Sequence, residues 1–331
     1  MSHPPAGEAA GSEPSPPRPR WRGALFRTVK LLLLAAVLYF VGQAMARQIG
    51  SLDFSKVHFR AGYVALAVLS VAAARGTILL IYRPLLEPFC GRLGFRDLAP
   101  LSWVPILGRY VPGKVFSVAW AISMLRGRGT PASAAVTVPF LMMGLAVLAG
   151  LTIAVPLTLW GPVRERIPAA WAWCLLLVAA GAVCLHPRVL AAAGNFALRK
   201  LKRQGTIALP SVGRYVAALG AIFAQLALGG LALWLLARSL TDVSPGWIPV
   251  CVSATGLAAS VGFLAVFAPA GLGVREGILL LILAPAVGEG VAAVVVLAVR
   301  LVQTVVEAAL AGVGFAILHA AGRDAALRRN A

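Results

Sequence analysis

Apolar positions in this chain run in long, unalternated blocks, as in residues 31–41 and 61–81. A transmembrane β-strand would alternate apolar and polar side chains at every second residue. The unbroken runs therefore predict helices. Six blocks approach the roughly 20 apolar residues needed to cross an about 30 Å hydrocarbon core: residues 29–46, 61–82, 133–159, 168–185, 214–236 and 291–318.

Two further apolar stretches are interrupted. Residues 98–125 are broken by Gly108-Arg109-Tyr110-Val111-Pro112-Gly113-Lys114, and residues 247–287 by Pro269-Ala270-Gly271-Leu272-Gly273-Val274-Arg275-Glu276-Gly277. Each break joins Pro, which removes an amide donor, to Gly, which admits dihedrals closed to other residues. In each stretch at least one flanking piece is too short to cross alone. The expectation is a re-entrant hairpin or broken helix, tolerated at membrane depth only against protein or a wet cavity. The two breaks are related by a faint repeat. An offset of 158 lays Ala134-Ala135-Val136-Thr137-Val138 on Ala292-Ala293-Val294-Val295-Val296, and Gly113 on Gly271. With the breaks entering from opposite sides this is an inverted repeat of the kind common in transporters. Chance similarity in an Ala/Val-rich chain is the alternative.

Composition agrees with a lipid solvent. Of 331 residues, 60% are hydrophobic and 12% charged, about half the charge of a soluble domain. The net charge of +19 does not form one soluble block, which argues against nucleic-acid binding. Placing the N-terminus in the cytoplasm puts nineteen of the thirty basic residues on that side and six on the other: Arg47, Lys56, Arg60, Arg164, Arg166 and Arg238. This is the positive-inside bias, which puts both termini in the cytoplasm; the expected location is the plasma (inner) membrane. Residues 1–24 read as a disordered basic tail, 25–320 as the membrane domain and 321–331 as a basic cytoplasmic tail. Ala44-Met45-Ala46 mimics a signal cleavage site, but the long preceding tail favours an uncleaved anchor.

The five remaining cations lie within or beside apolar spans: Arg75, Arg109, Lys114, Arg275 and Arg300, joined by the acids Glu276 and Glu307. A charge at the bilayer centre costs about 2.5–3.5 kcal/mol even on lenient insertion scales. Such groups call for partners, water or a ligand, and an anionic ligand matches the cation excess. If short helices begin after Pro112-Gly113 and after Gly271-Leu272-Gly273, then Lys114 and Arg275 occupy first turns. Free amides there favour a bound anion, and Arg109 can add a bidentate contact to phosphate. Snorkelling of Arg109 and Lys114, and an adjacent Arg275–Glu276 ion pair, are the structural alternatives. For Arg75 the alternative is an interhelical hydrogen bond. Arg300, Gln303 and Glu307 share one helix face pointing into the bundle, with Arg300 and Glu307 about 10 Å apart.

Other chemistry is sparse. Cys90, Cys174, Cys184 and Cys251 form no CxxC pair, and the four histidines have no metal-ligand spacing. Neither a metal nor a cofactor is expected. There is no Walker loop and no nucleophile elbow. Nor is there a soluble segment large enough for an ATPase or a transferase, so the chain is not expected to be an enzyme. Gly144, Gly150 and Gly229-Gly230 could admit close helix contacts.

The segment Leu107-Gly108-Arg109-Tyr110-Val111-Pro112-Gly113-Lys114-Val115-Phe116, followed by Ala270-Gly271-Leu272-Gly273-Val274-Arg275-Glu276-Gly277, resembles the lysylphosphatidylglycerol synthase transmembrane region family, also called flippase-like membrane proteins. The resemblance spans about residues 25–320. It departs at Phe116, where members often carry Trp, and at Ala270, where Gly is frequent. The resemblance implies movement of a lipid between leaflets: an aminoacylated phosphatidylglycerol in fused members, and glycolipid, polyprenyl-phosphate or hopanoid pathways for stand-alone relatives. The combined expectation is an all-α bundle of about six crossings and two broken elements, acting as a flippase for an anionic lipid. Arg109, Tyr110, Gly113, Lys114, Gly271, Gly273, Arg275 and Glu276 would form the headgroup site. Arg75, Arg300, Gln303 and Glu307 would couple charge. The alternative is a non-transporting partner that scaffolds a separate membrane glycosyltransferase or lipid-modifying enzyme.

Overall fold

Proline and glycine punctuate a series of apolar helices. The computed structural model describes residues 59–110, 115–160, 169–200, 209–265, 271 and 273–330. Residues 1–24 and the block 29–46 lie outside them. The described residues form ten α-helices and no strand: α1 (Ala61–Cys90), α2 (Phe95–Trp103), α3 (Val115–Arg126), α4 (Ala132–Thr158), α5 (Ala170–Leu185), α6 (Pro187–Lys200), α7 (Val212–Leu240), α8 (Ile248–Leu264), α9 (Val274–Val287) and α10 (Glu289–Asn330). Turns of 3-10 helix at Pro105–Tyr110 and Pro245–Trp247 follow α2 and precede α8.

Five segments are long and apolar enough to cross a membrane: α1, α4, α7, Pro245–Leu264 and Glu289–Ala321. The chain is an all-α polytopic membrane protein, as its hydrophobic pattern predicts. The block at 168–185 is less simple. Its helix α5 has 16 residues, about 24 Å at 1.5 Å per residue, and is short of a full crossing. It becomes a sixth span only with the following helix, as the pair Trp171–Leu185 and Pro187–Ala193 bent by 63°. Pro187 biases the residue before it away from helical dihedrals, and His186 is extended with ψ 132°. In the interrupted stretch 247–287, α8 with its leading turn is long enough to cross, whereas α9 is not.

Hydrogen bonds define the two ends of the bundle. At one end the Arg60 amide donates to Ser239 O at 2.9 Å, and Arg60 Nη1 reaches Asp242 Oδ1 at 2.9 Å. This hydrogen bond and its charge hold the Asp242 carboxyl below its usual range. Trp234 Nε1 donates to Ser244 O, and Trp160 stacks edge-on against Trp247. Such a ring of tryptophan is the mark of a membrane–water boundary. At the other end Arg214 Nη1 approaches Pro84 O at 3.5 Å, and Cys90 Sγ lies 3.1 Å from Thr130 Oγ1. Pro88 explains the first of these. Lacking an N–H, it leaves the carbonyl four residues back without its helical partner, and Arg214 approaches that oxygen. One core cluster occupies each end. The first holds Leu233, Leu236, Val243, Leu283 and Val295, and the second Leu85, Leu86, Leu101, Leu125 and Tyr215.

These contacts give the repeat a geometry. At an offset of 158, α1, α2, α3 and α4 correspond to α7, α8, α9 and α10. Helices α1 and α7 run antiparallel, since the start of each lies against the end of the other. At their crossing Ser70 Oγ donates to Leu228 O at 2.8 Å, and these two residues are themselves 158 apart. Equivalent positions therefore meet at a pseudo-two-fold axis. The halves interlock: α2 packs on α10, and α8 packs on α4. The segment α2–α3 starts and finishes at the Cys90–Thr130 end. The segment α8–α9 starts at the Trp247 end, and Val287 packs into the core cluster there.

Glycine sets the closest approaches. A Cβ on Gly150 would come within 2.7 Å of Gly256 O, and one on Gly230 within 2.6 Å of the Val252 amide nitrogen. Gly144 would meet Leu185 Cδ2 at 2.6 Å, whereas Gly220 faces open space. Gly230→Val should therefore overpack the α7–α8 contact, at a cost of about 1–3 kcal/mol, and lower the midpoint of thermal unfolding in detergent. Gly220→Ala should leave that midpoint unchanged or raise it.

Candidate functional site

Both breaks turn back on a glycine. After α2 the chain tightens through Pro105–Tyr110, and a Cβ on Gly108 would sit 2.6 Å from the amide nitrogen of Ser117 in α3. After α8 it re-emerges through Gly271 (φ 72°) and Gly273 (φ 83°) into α9. Positive φ favours glycine at both positions. Gly271 also needs space, because a Cβ there would lie 3.0 Å from Gly262 O. Gly262 in turn faces Arg275, whose Cβ would be 3.3 Å from a Cβ on Gly262. Ser117 and Arg275 are themselves 158 apart, each near the start of a returning helix.

Between these returning helices lies a cavity of about 320 Å³. Its polar side chains are Arg75 and Tyr82 of α1, Ser102 of α2, Ser117 of α3, Gln225 of α7, Arg275 of α9 and Gln303 of α10, with Thr255 of α8 beside them. Val71, Ile78, Ile81, Met142, Met143 and Leu226 form much of the apolar wall. Ser102 is 3% exposed, and its Oγ has no hydrogen-bond partner among the described residues. A buried hydroxyl in that condition carries a desolvation cost of about 1–3 kcal/mol, which a ligand or water in the cavity would relieve.

One buried and one half-buried ion pair brace the site. Arg75 Nη2 lies 2.8 Å from Glu307 Oε1, with the side chains 10% and 1% exposed. The pair ties α1 to α10. The carbonyl of Arg75 also accepts a hydrogen bond from Trp103 Nε1 at 3.3 Å, which fastens α2 to α1. Arg300 Nη1 lies 3.4 Å from Glu276 Oε1. Glu276 has a second role at the start of α9, where its Oε2 accepts the Gly273 amide at 2.8 Å. It thus supplies negative charge at a helix N-terminus, where the dipole favours it. Arg300, Gln303 and Glu307 fall on one face of α10, and Gln303 is 7% exposed.

Of the residues singled out in the sequence, Arg75, Arg275 and Gln303 line the cavity, and Glu276, Arg300 and Glu307 form the ion pairs that support it. Gly271 and Gly273 shape the second return. The backbone of Arg109 and Tyr110 ends the 3-10 turn. Their side chains, with Gly113 and Lys114, lie outside the described residues. Sequence reading missed Gln225, Ser102, Ser117 and Thr255. Gln225 carried a usable signal, as an isolated amide in the middle of an apolar span. Serine and threonine in apolar helices occur too often to single out. Among the described residues no group of three His, Cys, Asp or Glu could hold a metal ion.

Removing one member of the buried Arg75–Glu307 pair strands its partner, at a cost of about 3–5 kcal/mol, whereas removing both together costs far less. Glu307→Leu and Arg75→Met should each lower the thermal midpoint sharply. The double variant should recover most of the loss in a double-mutant cycle. Among curated proteins none matches the chain. The family model described as the lysylphosphatidylglycerol synthase TM region matches residues 27–311. This match covers most of the polypeptide and gives it a membrane-lipid-related role. A helical membrane bundle whose two broken segments meet at a polar cavity thus belongs to the lysylphosphatidylglycerol synthase transmembrane region family.

Proposed function

We propose that this protein is a flippase without catalytic chemistry of its own, which moves an anionic phospholipid, an aminoacylated lipid or a polyprenyl-phosphate-type lipid between leaflets. The observation that carries the reading is the arginine-lined cavity at the junction of two helix breaks within an inverted repeat. Transporters built on such repeats place their substrate at the repeat interface, among discontinuous helices. The headgroup enters the cavity, and Arg275 and Arg75 offer charge and hydrogen bonds to its phosphate. The apolar wall keeps the tails in a hydrocarbon setting.

The asymmetry of the cavity supports alternating access. Where the open cavity has Arg75, Ser102, Gln225 and Gln303, the positions offset by 158 carry Leu233, Ser260, Ala67 and Leu145. All four are at most 1% exposed. On one side of the axis the two halves open around a polar space, and on the other the equivalent positions are packed shut. Exchange of the two arrangements would present the headgroup to the opposite leaflet. In this reading α2–α3 and α8–α9 are re-entrant elements that enter from opposite faces.

The charge asymmetry supports a plasma-membrane location with the Cys90–Thr130 end and both termini in the cytoplasm. A fluorescent protein fused after Ala331 should therefore fluoresce, and alkaline phosphatase inserted at Asp242 should be active. The reverse pattern would overturn the orientation. In reconstituted vesicles the protein should accelerate leaflet exchange of an anionic lipid above the protein-free rate. Arg275→Gln should reduce that acceleration about tenfold or more while leaving the thermal midpoint near the parent value. Full exchange in this variant would remove Arg275 from the site. Absence of exchange in the parent protein, with co-purification of a membrane transferase, would favour a scaffolding role.

A further inference from the structure

The lining of the cavity narrows the headgroup class. Among its described lining residues are two arginines, two glutamines and several hydroxyls, but no aspartate or glutamate. Only two acids of the described bundle lie beside this space, Glu307 and Glu276, and each is engaged with an arginine. Glu276 also holds the Gly273 amide. Among the described residues no carboxylate is left to meet a cation brought in by the substrate.

We infer that this cavity takes a small phosphate-bearing headgroup with no fixed positive charge, and that it rejects lipids whose headgroup carries an ammonium. The inference rests on the lipid-exchange reading and selects within it. An aminoacylated lipid would bring one or two ammonium groups into a space lined by Arg275 and by Arg75, whose charge Glu307 balances, and by no acid among the described residues. A buried cation needs an anionic partner, and like charges side by side exclude the wrong ligand. A phosphodiester with a hydroxylated headgroup meets the reverse situation. Its oxygens find the guanidinium groups, and its hydroxyls can pair with Gln225, Gln303 and the otherwise unpartnered Ser102 Oγ. Size points the same way. A space of about 320 Å³ lies at the small end of ligand pockets, which suits a phosphate with a glycerol-sized group.

Two measurements test this separately from transport itself. The first is binding. Purified protein would be offered phosphatidylglycerol and lysylphosphatidylglycerol in equal amounts, and the retained lipid read by native mass spectrometry. Phosphatidylglycerol should be retained about tenfold over its lysyl ester. Equal retention, or preference for the lysyl ester, overturns the inference. The second is exchange in phosphatidylcholine vesicles carrying a trace of either lipid labelled on its tail. Phosphatidylglycerol should move about tenfold faster. Gln225→Glu, nearly isosteric, places a carboxylate in the cavity and should narrow or invert the preference in both measurements. An unchanged preference in a Gln225→Glu protein of parental thermal midpoint would also overturn it. If neither lipid exchanges faster than in empty vesicles, the transport reading fails, and the binding preference alone decides the headgroup class.

Discussion

In hydrocarbon every backbone donor and acceptor must be satisfied within the protein, and the rest of this structure depends on that constraint. A helix broken by Pro and Gly exposes amides and carbonyls that lipid cannot solvate. Such breaks survive only if other helices enclose them. The interlocked repeat provides that enclosure: α2 of the first half lies against α10 of the second, and α8 of the second against α4 of the first. One arm of each hairpin packs on the long helix of the other half, and the returning arm on the long helix of its own.

Glycine makes the enclosure tight. Gly108 against Ser117 and Gly271 against Gly262 let each break fold back on itself, while Gly150 against Gly256 brings α4 onto α8. The polar groups then gather in what space is left. Arg75 and Glu307 satisfy one another across α1 and α10, and Arg300 and Glu276 across α10 and α9. These pairs neutralise most of the buried charge. The cavity they support remains lined by arginine and amide groups without a lining acid among the described residues.

A pseudo-two-fold axis relates the two halves of this packing. Ser70 and Leu228, 158 apart, touch at the crossing of α1 and α7. Around that point the two halves share a plan but differ in side chains. Polar residues surround the open space, and leucine, alanine and a hydrogen-bonded serine fill its counterpart, where Ser260 Oγ donates to Val147 O. The two sides of the axis thus share an architecture and differ in packing.

The sequence by itself determined the solvent, the helical class, the long spans and the position of both breaks. Each follows from local properties: apolar run length, Pro and Gly, and the cost of charge in lipid. It also pointed to Arg75, Arg275, Arg300, Gln303 and Glu307, because a polar group in an apolar span is conspicuous wherever it folds. Only the tertiary structure decided which of these pair and which line the cavity. Adjacent in sequence, Arg275 and Glu276 part company: Arg275 lines the cavity, and Glu276 caps its own helix and reaches Arg300. Arg75 takes its partner from 232 residues away. Ser102, Ser117 and Thr255 resemble ordinary small helix residues until the other helices close around them. Pairing across such separations depends on how the helices cross, and hydrophobic pattern along one chain does not encode the crossing.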